Sequence, residues 1–334
     1  MILVTGGTGL VGAHVLYHLA LKEVKIRALY RTQAKIAKTK HVFSYYTDNV
    51  DTLFDNIEWV KGDILNIPEL SNAFKGITKV YHCAAKVSFD PNDYQSLRKT
   101  NIEGTANIVN LCLSNNIEKL CYVSSTATLG PSESNTINES NHWNPEAENS
   151  VYGITKYGAE MEVWRATQEG LDAVIVNPGI ILGGGFWQEG SGALFGLVKN
   201  GLKFYTKGVA GFVDVNDVAK AMLQLLESPI TNQRYLLVAE NWSFERFFNE
   251  TAQHLNAQAP KKEARRWQLQ VVWRLDWLKN FLTKSPRKLT KQTAESLLSV
   301  REFNSDKIRS DLSFTFKPIE DSIAEVSQYF LNDQ

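Results

Sequence analysis

The chain has 334 residues, 36 basic and 36 acidic side chains, 43% hydrophobic residues and three cysteines. Zero formal net charge argues against nucleic-acid binding, and no apolar run reaches the roughly 20 residues of a membrane-spanning helix. Cys83, Cys112 and Cys121 are too few for a disulfide framework and, like the six histidines, have no partner at metal-ligand spacing, so no metal is expected.

Length suits one large or two unequal domains. A strand at the very start is expected to leave no room for a secretion signal, which makes a cytoplasmic enzyme the default expectation. Met1 to Val4 reads as that buried strand, whereas Leu10, Val11, Val15, Leu16 and Leu19 recur at helical spacing. The strand therefore turns into a helix through TGGTG. Gly7, Gly9 and Gly12 satisfy G-x-G-x-x-G, and Gly6, Gly9 and Gly12 satisfy the wider G-x-x-G-x-x-G. Glycine here permits positive φ, close approach of a pyrophosphate and tight packing of helix on strand. Free amides and the helix dipole favour the anion. A dinucleotide is thus expected over Gly6, Thr8, Gly9, Leu10, Val11 and Gly12.

Further strands are expected at 24–30, 57–63, 79–85, 119–125 and 172–178, with helical patterns at 69–76, 95–116 and 152–168. This alternation predicts an α/β fold, a Rossmann doubly wound parallel sheet whose ligands lie at the carboxyl ends of the strands. After the second strand stands Arg31, where an NAD-specific protein would offer a carboxylate to the ribose. Arg31 can instead fork a 2′-phosphate, with Lys35 one helical turn on, so NADP(H) is expected in preference to NAD(H). Asp63 and Ile64 follow the third strand and are placed against an adenine edge. Ala84, Ala85 and Lys86 follow the fourth, where small residues leave the cofactor room.

Tyr152 and Lys156 are i and i+4 on one helix and share a face. A nearby ammonium is expected to lower the phenol pKa toward the working pH, so that Tyr152 can exchange a proton with an alcohol or carbonyl. Thr126 or Ser125, at the end of the fifth strand, is expected to fix the substrate oxygen.

Residues 1–178 read as the cofactor domain, with 212–228 returning to it, and 179–334 mainly as a smaller, helix-rich substrate lobe. The loop Ile181 to Gly192, with Phe186 and Trp187, and the stretch Phe204 to Phe212 are substrate-pocket candidates, although their aromatic residues suit a lobe core equally. Residues 261–291 carry ten basic side chains against only Glu263 and Asp276. Within them Val271, Leu275, Leu278 and Leu282 form a helical stripe, read first as packed inward. A weak contact with an anionic membrane surface and attraction of an acidic substrate are the two other readings of that segment.

Together, TGGTGLVG, GDI, HCAA, Asn101 with Gly104 and Thr105, YVSSTATLG, YGITK, NPGIILG and FVDVNDVA resemble the extended short-chain dehydrogenase/reductases, over nearly the whole chain. The tryptophan ahead of Tyr152 is similar to the branch of dihydroflavonol 4-reductase and 3β-hydroxysteroid dehydrogenase. The resemblance implies a Ser/Thr-Tyr-Lys catalytic group in which Thr126, before Ala127, is the hydroxyl, with Ser125 its rival. It also places Asn101, Pro178, Gly179 and Ile180 near the cofactor and is compatible with a homodimer. The activity implied is hydride transfer between NADP(H) and a small-molecule carbonyl or alcohol, often apolar. An NAD-dependent sugar-nucleotide epimerase is the second enzyme reading, set back by Arg31. A dinucleotide-binding sensor or scaffold without turnover is the reading from another class, set back by the retention of Tyr152 and Lys156.

Overall fold

Seven strands of the computed structural model, which describes residues 1–22, 24–132, 136–285, 287 and 289–334, align in one parallel sheet. They are β1 (Ile2–Thr5), β2 (Ile26–Tyr30), β3 (Ile57–Lys61), β4 (Lys79–His82), β5 (Lys119–Val123), β6 (Ala173–Pro178) and β7 (Gln233–Leu237). Their spatial order is β3-β2-β1-β4-β5-β6-β7. Because β1 is flanked by β2 and β4, the chain reverses its direction of progress there, and the crevice opens at the carboxyl ends of these strands.

The strands are apolar on both faces because helices cover both. Val4, Ala28 and Val174 pack with helices Leu10–Ala20 and Val215–Glu227. Leu3, Val80 and Leu120 pack on the other face with helices Gly104–Ser114 and Val151–Gln168. Beyond residue 178 the chain thus sends a helix back to the sheet at Val215–Glu227 and completes it with β7.

The rest of the second half builds a three-stranded sheet from Ile180–Leu182, Val209–Asp214 and Glu240–Ser243. Its core holds Phe195, Phe212, Trp242, Phe247 and Ile323. Two aromatic substrate candidates belong to this packing. Phe212 stacks on Phe247 with ring centroids 4.9 Å apart, and Trp187 meets Phe330 edge-on while donating a 2.7 Å hydrogen bond to Asp333. Phe204 is exposed.

Two local expectations give way. The helix predicted over 95–116 is broken into Tyr94–Leu97, a π-helical turn Arg98–Glu103, and Gly104–Ser114. The wider turn lies where the Asn101 side chain reaches Lys86 and Thr155, bonds that sequence periodicity does not reveal. The stripe Val271, Leu275, Leu278 and Leu282 does not pack inward. Helix Arg266–Thr283 contains no buried residue, and all four of these side chains are exposed. The reason is that the attachment is made from the opposite side, where Leu269, Trp273, Asp276 and Asn280 are half-buried, Asn280 donates to Ser285 O and Asp276 accepts from Leu289 N. Lys288, one of the basic residues counted from the sequence, lies outside the described residues.

Candidate active site

The turn after β1 is shaped for a group larger than a side chain. Gly6 has φ of +70°, and a Cβ there would meet the Ala84 amide nitrogen at 2.6 Å. A Cβ on Gly12 would meet Gly6 O at 2.2 Å, so helix Leu10–Ala20 can approach the turn only without one. Gly9 caps that helix with no side-chain hydrogen bond, which leaves the first-turn amides free for an anion. Gly6, Thr8, Gly9, Arg31, Lys35, Ile64, Ala84 and Ala85 line one cleft of about 160 Å³. Leu10 opens the helix beside it, and Val11 packs partly on the core beneath. The residues present fit a dinucleotide: a cradle that side chains would fill, uncapped amides, and cations at the far end.

Lys38, Phe186 and Glu189 also line this cleft, and the sequence reading did not assign them there. Lys38 was within reach of it, since Arg31, Lys35 and Lys38 stand at i, i+4 and i+7. Phe186 and Glu189 come from the loop Ile181 to Gly192, named from the sequence as a substrate-pocket candidate and not as part of the cofactor cleft.

Tyr152 and Lys156 lie on helix Val151–Gln168, whose start is fixed by Ser150 Oγ accepting from Gly153 N at 3.0 Å. Ser125 begins a short turn over Thr126–Thr128, with its Oγ accepting from Ala127 N at 3.1 Å. Its side chain lies near enough to the Tyr152 phenol to favour the ionised form. Thr126, the residue implied by the resemblance, is half-buried in the adjoining turn. Phe89, itself exposed, stands edge-on to Tyr152 at 5.5 Å and gives it an apolar neighbour; Val87, two residues earlier, is exposed as well.

Residues 2–237 match the NAD dependent epimerase/dehydratase family. The chain belongs to this family. Within it, the chain is 28% identical to a putative dihydroflavonol 4-reductase of a Synechocystis species, over 98% of this chain and 94% of that one. It is 26% identical to cinnamoyl-CoA reductase 1 of Oryza sativa, over 71% of each chain. The crystal structure of gox2253 superposes with a TM-score of 0.81 at 25% identity, covering 100% of this chain and 98% of that one. As an extended short-chain dehydrogenase/reductase, the chain is an enzyme with an NAD(P)-binding Rossmann fold.

In this family member the ammonium does not serve the phenol as expected. Lys156 is 2% exposed, and its Nζ donates to Tyr122 Oη at 2.6 Å and Val123 O at 2.7 Å. Burial pulls its pKa down to about 7, opposed by the Glu160 carboxylate. Burial likewise pushes Tyr152 up to about 12, opposed by the nearby Ser125 hydroxyl. Desolvation outweighs the cation because Lys156 is turned to the end of β5 and keeps only part of its charge near neutral pH.

A buried chain of hydrogen bonds continues behind Lys156. Tyr122 lies beside Thr105, Thr105 meets His82 Nε2 at 2.9 Å, and His82 Nδ1 meets Thr5 at 2.6 Å. Burial lowers His82 to about 3, so its ring is neutral and bonds at both nitrogens. Hydroxyls and a neutral imidazole can run their donor direction either way, so the chain can reorient when Lys156 gains or loses a proton. Tyr122 Oη thereby holds the Lys156 ammonium at the end of β5. Tyr122→Phe removes an acceptor from the charged form of Lys156 and should lower its pKa further, by roughly one to two units. The alkaline limb of the kcat profile should move down by that amount while KM changes little. An unmoved limb would reduce Tyr122 to packing.

The remaining predicted residues hold the frame. Asn101 Oδ1 accepts from Lys86 N at 2.8 Å, and its Nδ2 donates to Thr155 Oγ1 at 3.1 Å, tying the loop after β4 to the helix of Tyr152. Lys86 Nζ pairs with Asp93 at 2.8 Å. Asp63 Oδ1 accepts from Leu65 N at 3.0 Å, closing the turn after β3. Pro178 ends β6, a Cβ on Gly179 would meet Gly211 O at 2.3 Å, and Ile180 pairs with Phe212.

Proposed function

We propose that the chain is an NADP(H)-dependent carbonyl reductase acting on small, apolar carbonyl compounds. The observation that carries this reading is the junction of Tyr152, Ser125 and Lys156 at the strand ends, beside the glycine-lined cleft. NADP(H), when bound, supplies the hydride. The catalytic assignments to Tyr152, Lys156 and the hydroxyl are part of the proposal. Ser125 is preferred to Thr126 because it is the hydroxyl whose influence on the Tyr152 phenol is felt.

A phenol held at about 12 is protonated at neutral pH, which equips Tyr152 to donate. As hydride reaches the carbonyl carbon, the oxygen takes up the electron pair of the C=O bond and the Tyr152 proton. The product is an alcohol, and the phenolate left on Tyr152 takes its replacement proton from water, while the protonated fraction of Lys156 supplies positive charge at the strand ends. Ser125 steadies the oxygen during this change. Phe89 favours an apolar substrate face. The putative dihydroflavonol 4-reductase and the cinnamoyl-CoA reductase, by their names, are reductases, which supports this reading over epimerisation. Loss of NADPH absorbance in the presence of a panel of aldehydes and ketones tests it, and no turnover with any of them would favour a dinucleotide sensor.

The preference for NADP(H) rests on Arg31, Lys35 and Lys38 at one end of the cleft. Arg31→Ala should weaken NADPH binding by roughly 10- to 100-fold, the scale of a charge-assisted hydrogen bond, and leave NADH nearly unchanged. Equal losses for both dinucleotides in a titration would reject a 2′-phosphate contact.

A further inference from the structure

Helix Arg266–Thr283 wears its amphipathic pattern inside out. At about 100° per residue, Trp277, Phe281, Trp267, Leu278, Val271, Leu282 and Leu275 fall within an arc of roughly 160°. Each is 45% to 70% exposed. The side that faces the protein carries Leu269, Trp273, Asp276 and Asn280, all half-buried. Hydrogen bonds from Gln270 to Glu295 and from Leu289 N to Asp276 fasten it there. An apolar face of this size, interrupted only by Gln270 and Arg274, marks a surface that docks on something.

Charge says what. Lys262, Arg265, Arg274, Lys279 and Lys284 are exposed around the face. The acids nearby are engaged: Glu263 with Lys207, Glu295 with Arg266 and Asp276 with Arg287. Arg274 sits near the middle of the apolar arc. In a two-fold pairing of this face with its own copy, Arg274 would approach its counterpart, and like charges would meet without compensation. Lipid phosphates offer the complementary charge to every one of these cations. Among the described residues no helix is long and apolar enough to cross a membrane, so this one would lie flat.

We propose that helix Arg266–Thr283 binds an anionic membrane surface, its Trp, Phe and Leu side chains at the boundary of headgroups and acyl chains and its cations on lipid phosphates. Lys291 pairs at 2.7 Å with Glu148, just ahead of the Ser150 cap, which joins the docked segment to the helix of Tyr152. On the carbonyl-reductase reading, docking brings the cleft to carbonyl compounds dissolved in the bilayer. The surface itself is tested without turnover, so failure of either idea leaves the other standing.

The full chain should cosediment with vesicles of phosphatidylcholine and phosphatidylglycerol at about 0.05 M salt, and bind at least about tenfold more weakly at about 0.5 M salt or on phosphatidylcholine alone. Trp fluorescence should shift to the blue on binding. Leu275→Gln with Leu282→Gln should weaken binding about tenfold or more, and Arg274→Gln with Lys279→Gln roughly 10- to 30-fold. Both pairs are exposed, so thermal midpoints should match the parent and exclude misfolding as the cause. Three outcomes would overturn the proposal: protein left in the supernatant at low salt, equal binding to neutral vesicles, or a dimer without lipid that the Leu pair converts to monomer.

Discussion

Tyr152→Phe is expected to lower kcat by about 10²- to 10⁴-fold while leaving the dinucleotide dissociation constant within about twofold. The substitution keeps the ring that meets Phe89 edge-on and removes only the hydroxyl near Ser125. The fold should persist, because the helix is set by the Ser150 cap and the packing of Ala159 and Val163, none of which uses the phenol. What disappears is the proton donor, so hydride transfer would leave an unprotonated alkoxide. Single-turnover measurements with NADPH and a reducible aldehyde separate this loss from slow product release. A variant with more than about a tenth of the parental rate would show that another group protonates the substrate, and the protonated phenol would lose its assigned role.

The largest stability effect is expected at Glu160, one turn beyond Lys156 on the same helix. Its side chain is fully buried and accepts from Ser124 Oγ at 2.6 Å, Thr128 Oγ1 at 2.9 Å and Asn177 Nδ2 at 3.0 Å. It also pairs with Arg234 at 3.3 Å and accepts from Trp164. Glu160→Ala strips these donors of their common acceptor and leaves a cavity under the strand ends, with an expected loss of about 3 to 5 kcal/mol. Arg234 keeps other partners, since its Nε donates to Glu139 O at 2.8 Å, and this holds the loss near the lower end. Glu160→Gln, which preserves shape and one acceptor oxygen, should lose less. Urea midpoints with unchanged slopes read the difference directly. A loss below about 1 kcal/mol for the alanine variant would mean that water takes over the acceptor role and that the cluster does not clamp the helix to β5 and β6.

These effects reach the chemistry together, because Ser124 and Ser125 are neighbours. A loosened Glu160 cluster displaces the turn that presents Ser125 to Tyr152, so Glu160→Gln should lower kcat more than it raises KM. That split distinguishes displaced catalytic groups from weakened substrate binding.

Local pattern was enough for much of the cofactor half. The strand-turn-helix at Gly6 to Gly12, the parallel strands ending near Arg31, Ile64 and Ala84, and the shared helix of Tyr152 and Lys156 depend on short-range periodicity and on glycine at crowded positions. Both properties belong to a few consecutive residues and survive without knowledge of what lies across the fold. The π turn at Arg98–Glu103, the hydrogen-bonded chain from Lys156 to Thr5, and the Glu160 cluster join residues as far apart as 77 positions, and no local pattern announces them. The pKa values of Tyr152 and Lys156 are of the same kind. Spacing indicates that the two can share a face, but burial determines which effect wins, and burial is a property of the assembled sheet. Helix Arg266–Thr283 makes the contrast plainest: its apolar stripe is written in the sequence, whereas its direction, outward, was decided by the side that found hydrogen-bond partners in residues 285–295.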